Sequence, residues 1–146
     1  MPPKLVGLLV GGLLPALFYG ISGIFAKSSA NAGMSIGGHL IFIGISISGI
    51  GLLLNLLEPG TIPSSVAVAS SSLQGLSWAL GTACVVLGLL RYQIPLSKLA
   101  PLYNMNTLVT AGLALIIFTE WRQVNPGQLL LGTGLIIVGG LLVSGA

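Results

Sequence analysis

Five long apolar stretches, separated by short clusters of Pro, Gly, Ser and charged residues, run the length of the chain. The first extends from Leu5 to Phe25 and stops at Lys27 and the polar run Ser28-Ser29-Ala30-Asn31. The second covers Ile36 to Leu57 and meets Glu58-Pro59-Gly60. Pro63-Ser64-Ser65 opens the third, Val66 to Leu90, which Arg91-Tyr92 closes. The fourth follows Pro95 and Lys98, covers Leu99 to Phe118, and ends at Thr119-Glu120-Trp121-Arg122. The fifth starts at Pro126, a residue suited to a first helical turn, and reaches Ser144. The ten-residue alternating segments of membrane strands are absent. At a rise of 1.5 Å per residue these stretches measure about 27–38 Å, enough to cross a bilayer core of about 30 Å. The pattern predicts an all-α membrane protein. It is a bundle of five transmembrane helices in one domain, residues 1–146, with spans at 5–25, 36–57, 66–90, 99–118 and 126–144.

Composition supports lipid as the solvent. Charged residues make up 5% of the chain and hydrophobic residues 54%, whereas globular chains carry about 25% charge. Lys4, Lys27, Arg91, Lys98 and Arg122 are scattered, so they form no patch for nucleic acid and no polybasic cluster for lipid headgroups. Cys84 is alone, which excludes a disulfide framework and a cysteine metal motif. There is no Asp, hence no Ser-His-Asp set, and neither a phosphate-binding Gly loop nor a catalytic carboxylate pair is visible. The chain is not expected to be an enzyme, and no cofactor or metal is expected. The first apolar run, about 21 residues, exceeds the roughly 7–15 of a signal peptide, so it reads as a retained span.

Polar residues inside the spans fall in stripes. Gly12, Pro15, Tyr19, Ser22 and Ala26 recur at helical spacing in the first, and Ser70, Gln74, Ser77 and Gly81 in the third. The fourth is the most polar: Tyr103, Asn106 and Thr110 form a row, with Asn104 and Thr107 beside it. Pro101, just upstream, can leave carbonyls unpaired and open to a ligand. Two readings compete. The stripes of spans one, three and four line a wet cavity, with Tyr19, Ser22, Gln74, Ser77, Trp78, Tyr103, Asn104, Asn106 and Thr107 along a substrate path. Alternatively, the hydroxyls and amides are packing glue between helices. Two amides in one turn are costly unless wet or paired, which favours the cavity for Asn104 and Asn106. Trp78, mid-span, is expected to face another helix or that cavity, while Tyr92 and Trp121 sit at span ends and suit an aromatic belt.

Gly7 with Gly11, Gly75 with Ala79 and Ala83, and Gly140 with Ser144 are candidate close-contact seams. Glu58 and Glu120 fall at span ends, leaving no carboxylate at mid-depth to cycle protons. Lys27 reads as a snorkelling anchor and His39 as a satisfied interfacial residue. Charge barely biases orientation: Lys4 and Arg122 fall on one side, against Lys27, Arg91 and Lys98 on the other. An outward amino terminus, an orientation fixed by a partner, and insertion both ways into an antiparallel dimer are all compatible with that balance.

With the spans placed, the chain resembles a single five-helix EamA-type domain of the drug/metabolite transporter superfamily. The likeness rests on Phe18-Tyr19-Gly20 followed by Lys27, on Ser97-Lys98-Leu99-Ala100-Pro101-Leu102 opening the fourth span, and on Thr119-Glu120 followed by Gln128 and Gly132. Tyr19 stands where the family usually has Trp, and Thr119 where it usually has Gly. The resemblance implies one half of a ten-helix transporter, with two copies, possibly antiparallel, assembling around a central cavity and moving a small polar metabolite by alternating access. The first-helix Glu of the four-helix multidrug branch is missing, so that mechanism does not carry over. The alternative is a non-transporting accessory or assembly subunit that packs against other membrane chains. Either reading gives a multi-pass protein of a prokaryotic or organelle membrane, surrounded by lipid and without a nucleic-acid partner.

Overall fold

The computed structural model describes residues 3–145. Among them the regular structure is entirely helical, and five helices are long and apolar enough to cross a membrane: Leu5–Asn31, Ile36–Leu57, Ser65–Leu90, Leu96–Ile117 and Gly127–Gly145. The first span comprises α1 (Pro3–Leu8), a π turn at Leu9–Leu13 and α2 (Leu14–Asn31). The π turn sits directly before Pro15, which has no N–H to give the Gly11 carbonyl and whose ring crowds it; widening the helix there relieves both.

The first span is longer than its apolar run. It continues through Lys27 and Ser28-Ser29-Ala30 to Asn31, because polar residues and one charge do not stop a helix. Gly33 does. It takes a left-handed φ of 80°, its N–H reaches the Ala30 carbonyl (3.0 Å), and the Met34 N–H reaches that of Ser29 (3.2 Å). This is the paired closure that left-handed glycine permits at a helix end. α3 (Ile36–Leu57) then starts at Ser35, whose Oγ accepts from the Gly38 N–H at 3.1 Å. α4 (Ser65–Leu90) repeats the device, Ser64 Oγ accepting from Ala67 N–H at 3.2 Å. Gln93, itself at a positive φ of 53°, turns its amide back onto the Leu90 carbonyl to close α4.

The fourth span is split into α5 (Leu96–Tyr103) and α6 (Asn106–Ile117). A short 3₁₀ turn, Glu120–Arg122, leads to α7 (Pro126–Gly145). The Arg122 guanidinium lies 5.7 Å from the centre of the Trp121 ring, within reach of the ring's negative face.

The chain divides into two compact units, one ending at Gln93 and one beginning at Ile94. In the first, α4 packs against both α2 and α3. Burial there is confined to one end: Ala30 of α2, His39 of α3, and Val86, Gly88 and Leu89 of α4. At the other end, residues 44–57 of α3 and 65–78 of α4 are exposed throughout. In the second unit α5 packs on α7, and its one buried residue among those described is Gly140. A methyl placed on Gly140 would meet Met105 Sδ at 2.9 Å, so the missing side chain is the seat of that sulfur. Of the small-residue seams, Gly140 makes a close contact while its partner Ser144 is exposed and donates back to the Leu141 carbonyl. Ala79 and Ala83 are half-buried with Gly75 exposed, and among the described residues nothing lies within 4 Å of a methyl placed on Gly7 or Gly11.

Candidate functional site

The break in the fourth span is the chemically distinctive point of the second unit. It lies midway along Leu96–Ile117, at Asn104 and Met105, three residues after Pro101. Pro101 cannot donate to the Ser97 carbonyl, and Asn104 and Asn106 are weak helix formers in the next turn. The ladder shortens there: Met105 N–H bonds Leu102 O (3.1 Å), Thr107 N–H bonds Asn104 O (3.2 Å), and Leu108 N–H bonds Met105 O (3.0 Å). A continuous α-helix would have directed the first two of these donors to Pro101 and Tyr103. Those two carbonyl oxygens therefore lose their helical partners at mid-span. Such freed oxygens are tolerated at membrane depth where they meet water, protein or a ligand.

The side chains around the break match this polarity. Thr107 Oγ1 donates to the Asn104 carbonyl at 3.0 Å and keeps its lone pairs free. Tyr103 is half-buried, and Asn104, Asn106 and Thr107 are exposed. Neither Asn amide bonds another described residue, so neither is serving as glue within its own unit. The second unit thus brings four of the sequence-predicted path residues together at one interruption, with two main-chain acceptors added.

In the first unit, Tyr19, Ser22, Gln74, Ser77 and Trp78 are all exposed. Tyr19 and Trp78 lie at matched depth, each eleven residues before the buried end of its helix at Ala30 and Leu89. At 1.5 Å per residue that is about 16 Å from the packed end. Trp78 retains 45% exposure and is not sealed between helices. Ser70 and Ser72 belong to the same polar stretch, but Ser72 spends its hydroxyl on the Val68 carbonyl of its own helix at 2.8 Å.

A concavity of about 340 Å³ lies between α6 and α7 and is lined by Leu108, Leu115, Leu129, Leu130 and Ile137 with Thr133. The Thr133 hydroxyl is directed into its own helix, to Leu129 O (2.9 Å) and Leu130 O (3.0 Å). This wedge contains none of the predicted path residues and offers little to a polar solute.

Sequence reading missed two features. The Met105–Gly140 seat was half visible as a small residue in the last span, but its partner was not. His39 is more than an interfacial residue: its Nδ1 lies 3.1 Å from Ser29 Oγ, it is 8% exposed, and its Nε2 is buried without a partner among the described residues. Its position opposite Ser29, across the Ala32–Ser35 turn, was the available signal. Comparison with protein-family models, curated proteins and solved structures finds no match to this chain.

Proposed function

We propose that this chain is a carrier subunit of the drug/metabolite transporter type, moving a small polar metabolite across the membrane by alternating access, with two copies forming the working assembly. The break at Asn104–Met105 carries the reading. Freed carbonyls, two unbonded amides, a hydroxyl and a phenol at the middle of the fourth span supply hydrogen bonds to a dehydrated solute with no formal charge at the break. Tyr103, Asn104, Asn106 and Thr107 would contact solute in the second unit, and Tyr19, Ser22, Gln74, Ser77 and Trp78 in the first. The resemblance to EamA-type domains gains one local support. Thr119, at the position where that family usually has Gly, takes a left-handed φ of 54°, the conformation glycine adopts without strain.

Counterflow of radiolabelled amino acids, sugars, nucleosides and polyamines into liposomes holding the purified protein tests the proposal. Uptake of one class is expected, with at least a tenfold loss in Asn104→Leu and Asn106→Leu proteins that insert and assemble normally. Full activity in both variants removes the break from the mechanism. A second reading, a non-transporting subunit of a larger complex, is favoured by the position of both carboxylates outside the spans, Glu58 as the cap of α3 and Glu120 in the 3₁₀ turn. Absence of counterflow for every class, together with constant co-purification of other chains, selects it.

A further inference from the structure

We infer that the packed end of the first unit is a gate, and that the Ser29–His39 pair is its latch; the inference rests on the carrier reading above. In this unit the helices close at one end only, around Ala30, His39, Val86, Gly88 and Leu89. Beyond that end Ser22, Gln74, Ser77 and Trp78 are exposed, and α3 and α4 carry no buried side chain over residues 44–57 and 65–78. Solute reaching those residues from the loose end would be stopped at the packed one. Alternating access requires the packed end to part.

Its construction suits reversible parting. Ser29 Oγ to His39 Nδ1, 3.1 Å, is the one hydrogen bond between side chains of different helices among the described residues; every other side-chain bond links residues four or fewer apart. Ala30, Val86, Gly88 and Leu89 bury apolar or small surfaces, which separate into lipid without stranding a polar group. Both latch residues have an alternative when parted. A helical serine can turn its hydroxyl to the carbonyl four residues back, as Ser46 does to Phe42 (3.0 Å) and Ser72 to Val68 (2.8 Å); for Ser29 that acceptor is Phe25. His39 gains more. Closed, its buried Nε2 has no partner among the described residues; open to water, both ring nitrogens are satisfied. A tie that leaves one buried nitrogen unmet holds the end together without locking it, which is what a two-state element needs.

The test uses Cys84→Ser protein carrying Ser29→Cys and His39→Cys, reconstituted in liposomes and bridged by a short bifunctional methanethiosulfonate. Counterflow is expected to fall at least tenfold on bridging and to recover with reductant, while each single-cysteine protein is unaffected by the reagent. Bridged protein that turns over at the unbridged rate overturns the gate. A second measurement does not depend on transport. In Cys84→Ser/Val86→Cys protein, alkylation of the buried thiol by a water-borne maleimide is expected to speed up at least fivefold when Ser29→Ala is added. Equal rates in the Ser29→Ala protein and the parent overturn the latch. If unbridged protein moves no solute, the carrier reading alone fails, and the alkylation rates judge the latch by themselves.

Discussion

The two units solve the same problem, holding apolar helices together in a solvent as apolar as they are, by different means. The first keeps the hydrogen-bond ladders of α2, α3 and α4 continuous through its packed end and draws specificity from side chains: two fully buried aliphatic groups, Val86 and Leu89, and one cross-helix pair, Ser29 with His39. The second interrupts its ladder between α5 and α6 and makes its contact by removing a side chain, Gly140 receiving Met105. Hydrophobicity does not drive association in lipid, so the first unit relies on fit and one polar pair, and the second on fit. Where the ladder is whole, polar side chains are free to tie helices together. Where it is broken, backbone oxygens become available to something else.

That contrast can be broken most forcefully at Leu89, which is 1% exposed. Leu89→Ala is expected to destabilise the first unit by about 2–5 kcal/mol, the usual range for a buried leucine truncation. Leu80→Ala on the exposed face of the same helix should change stability by about 0.5 kcal/mol or less. Steric-trapping or denaturant titration in micelles measures both, and equal effects would mean that the packed end is not a core.

In the second unit Gly140→Leu is expected to cost about 1–3 kcal/mol by overpacking against Met105. Gly140→Ala should cost less, because the crowded atom belongs to a flexible side chain. Recovery of stability in the Gly140→Leu/Met105→Ala double variant identifies the partner, and failure to recover places the contact elsewhere. The smallest expected effect is a gain. Thr119→Gly relieves a left-handed β-branched residue and should stabilise the 3₁₀ turn by about 1 kcal/mol. A loss instead would show that the Thr119 hydroxyl, which donates to the Phe118 carbonyl at 2.7 Å, outweighs the backbone strain.

Much of the architecture was legible in the sequence because membrane spans are written as runs, and runs need no tertiary information. Ser64 before α4 and Pro126 at the start of α7 marked their helices for local reasons. The first span was under-read because Lys27 and three polar neighbours look like a stop, whereas the helix end is set by Gly33, the first residue able to turn left-handed without penalty. In the fourth span Pro101 signalled freed carbonyls, yet the interruption falls three residues later, where two asparagines make the shortened ladder cheap. The Ser29–His39 and Met105–Gly140 pairs were only half legible: the short Ala32–Ser35 turn and the small Gly140 were visible, but each pairing depends on the azimuth at which two helices meet, and no periodicity records that.

The connection from Glu58 to Ser64 holds two prolines and a glycine, and Ile62 within it is 96% exposed. All its residues are exposed and no strand or helix runs through it. A peptide tag or protease-recognition sequence inserted after Gly60 should therefore leave insertion and assembly intact. Digestion of sealed right-side-out and inverted vesicles would then read the topology of every copy, and cleavage of half the population in each would reveal a protein inserted both ways.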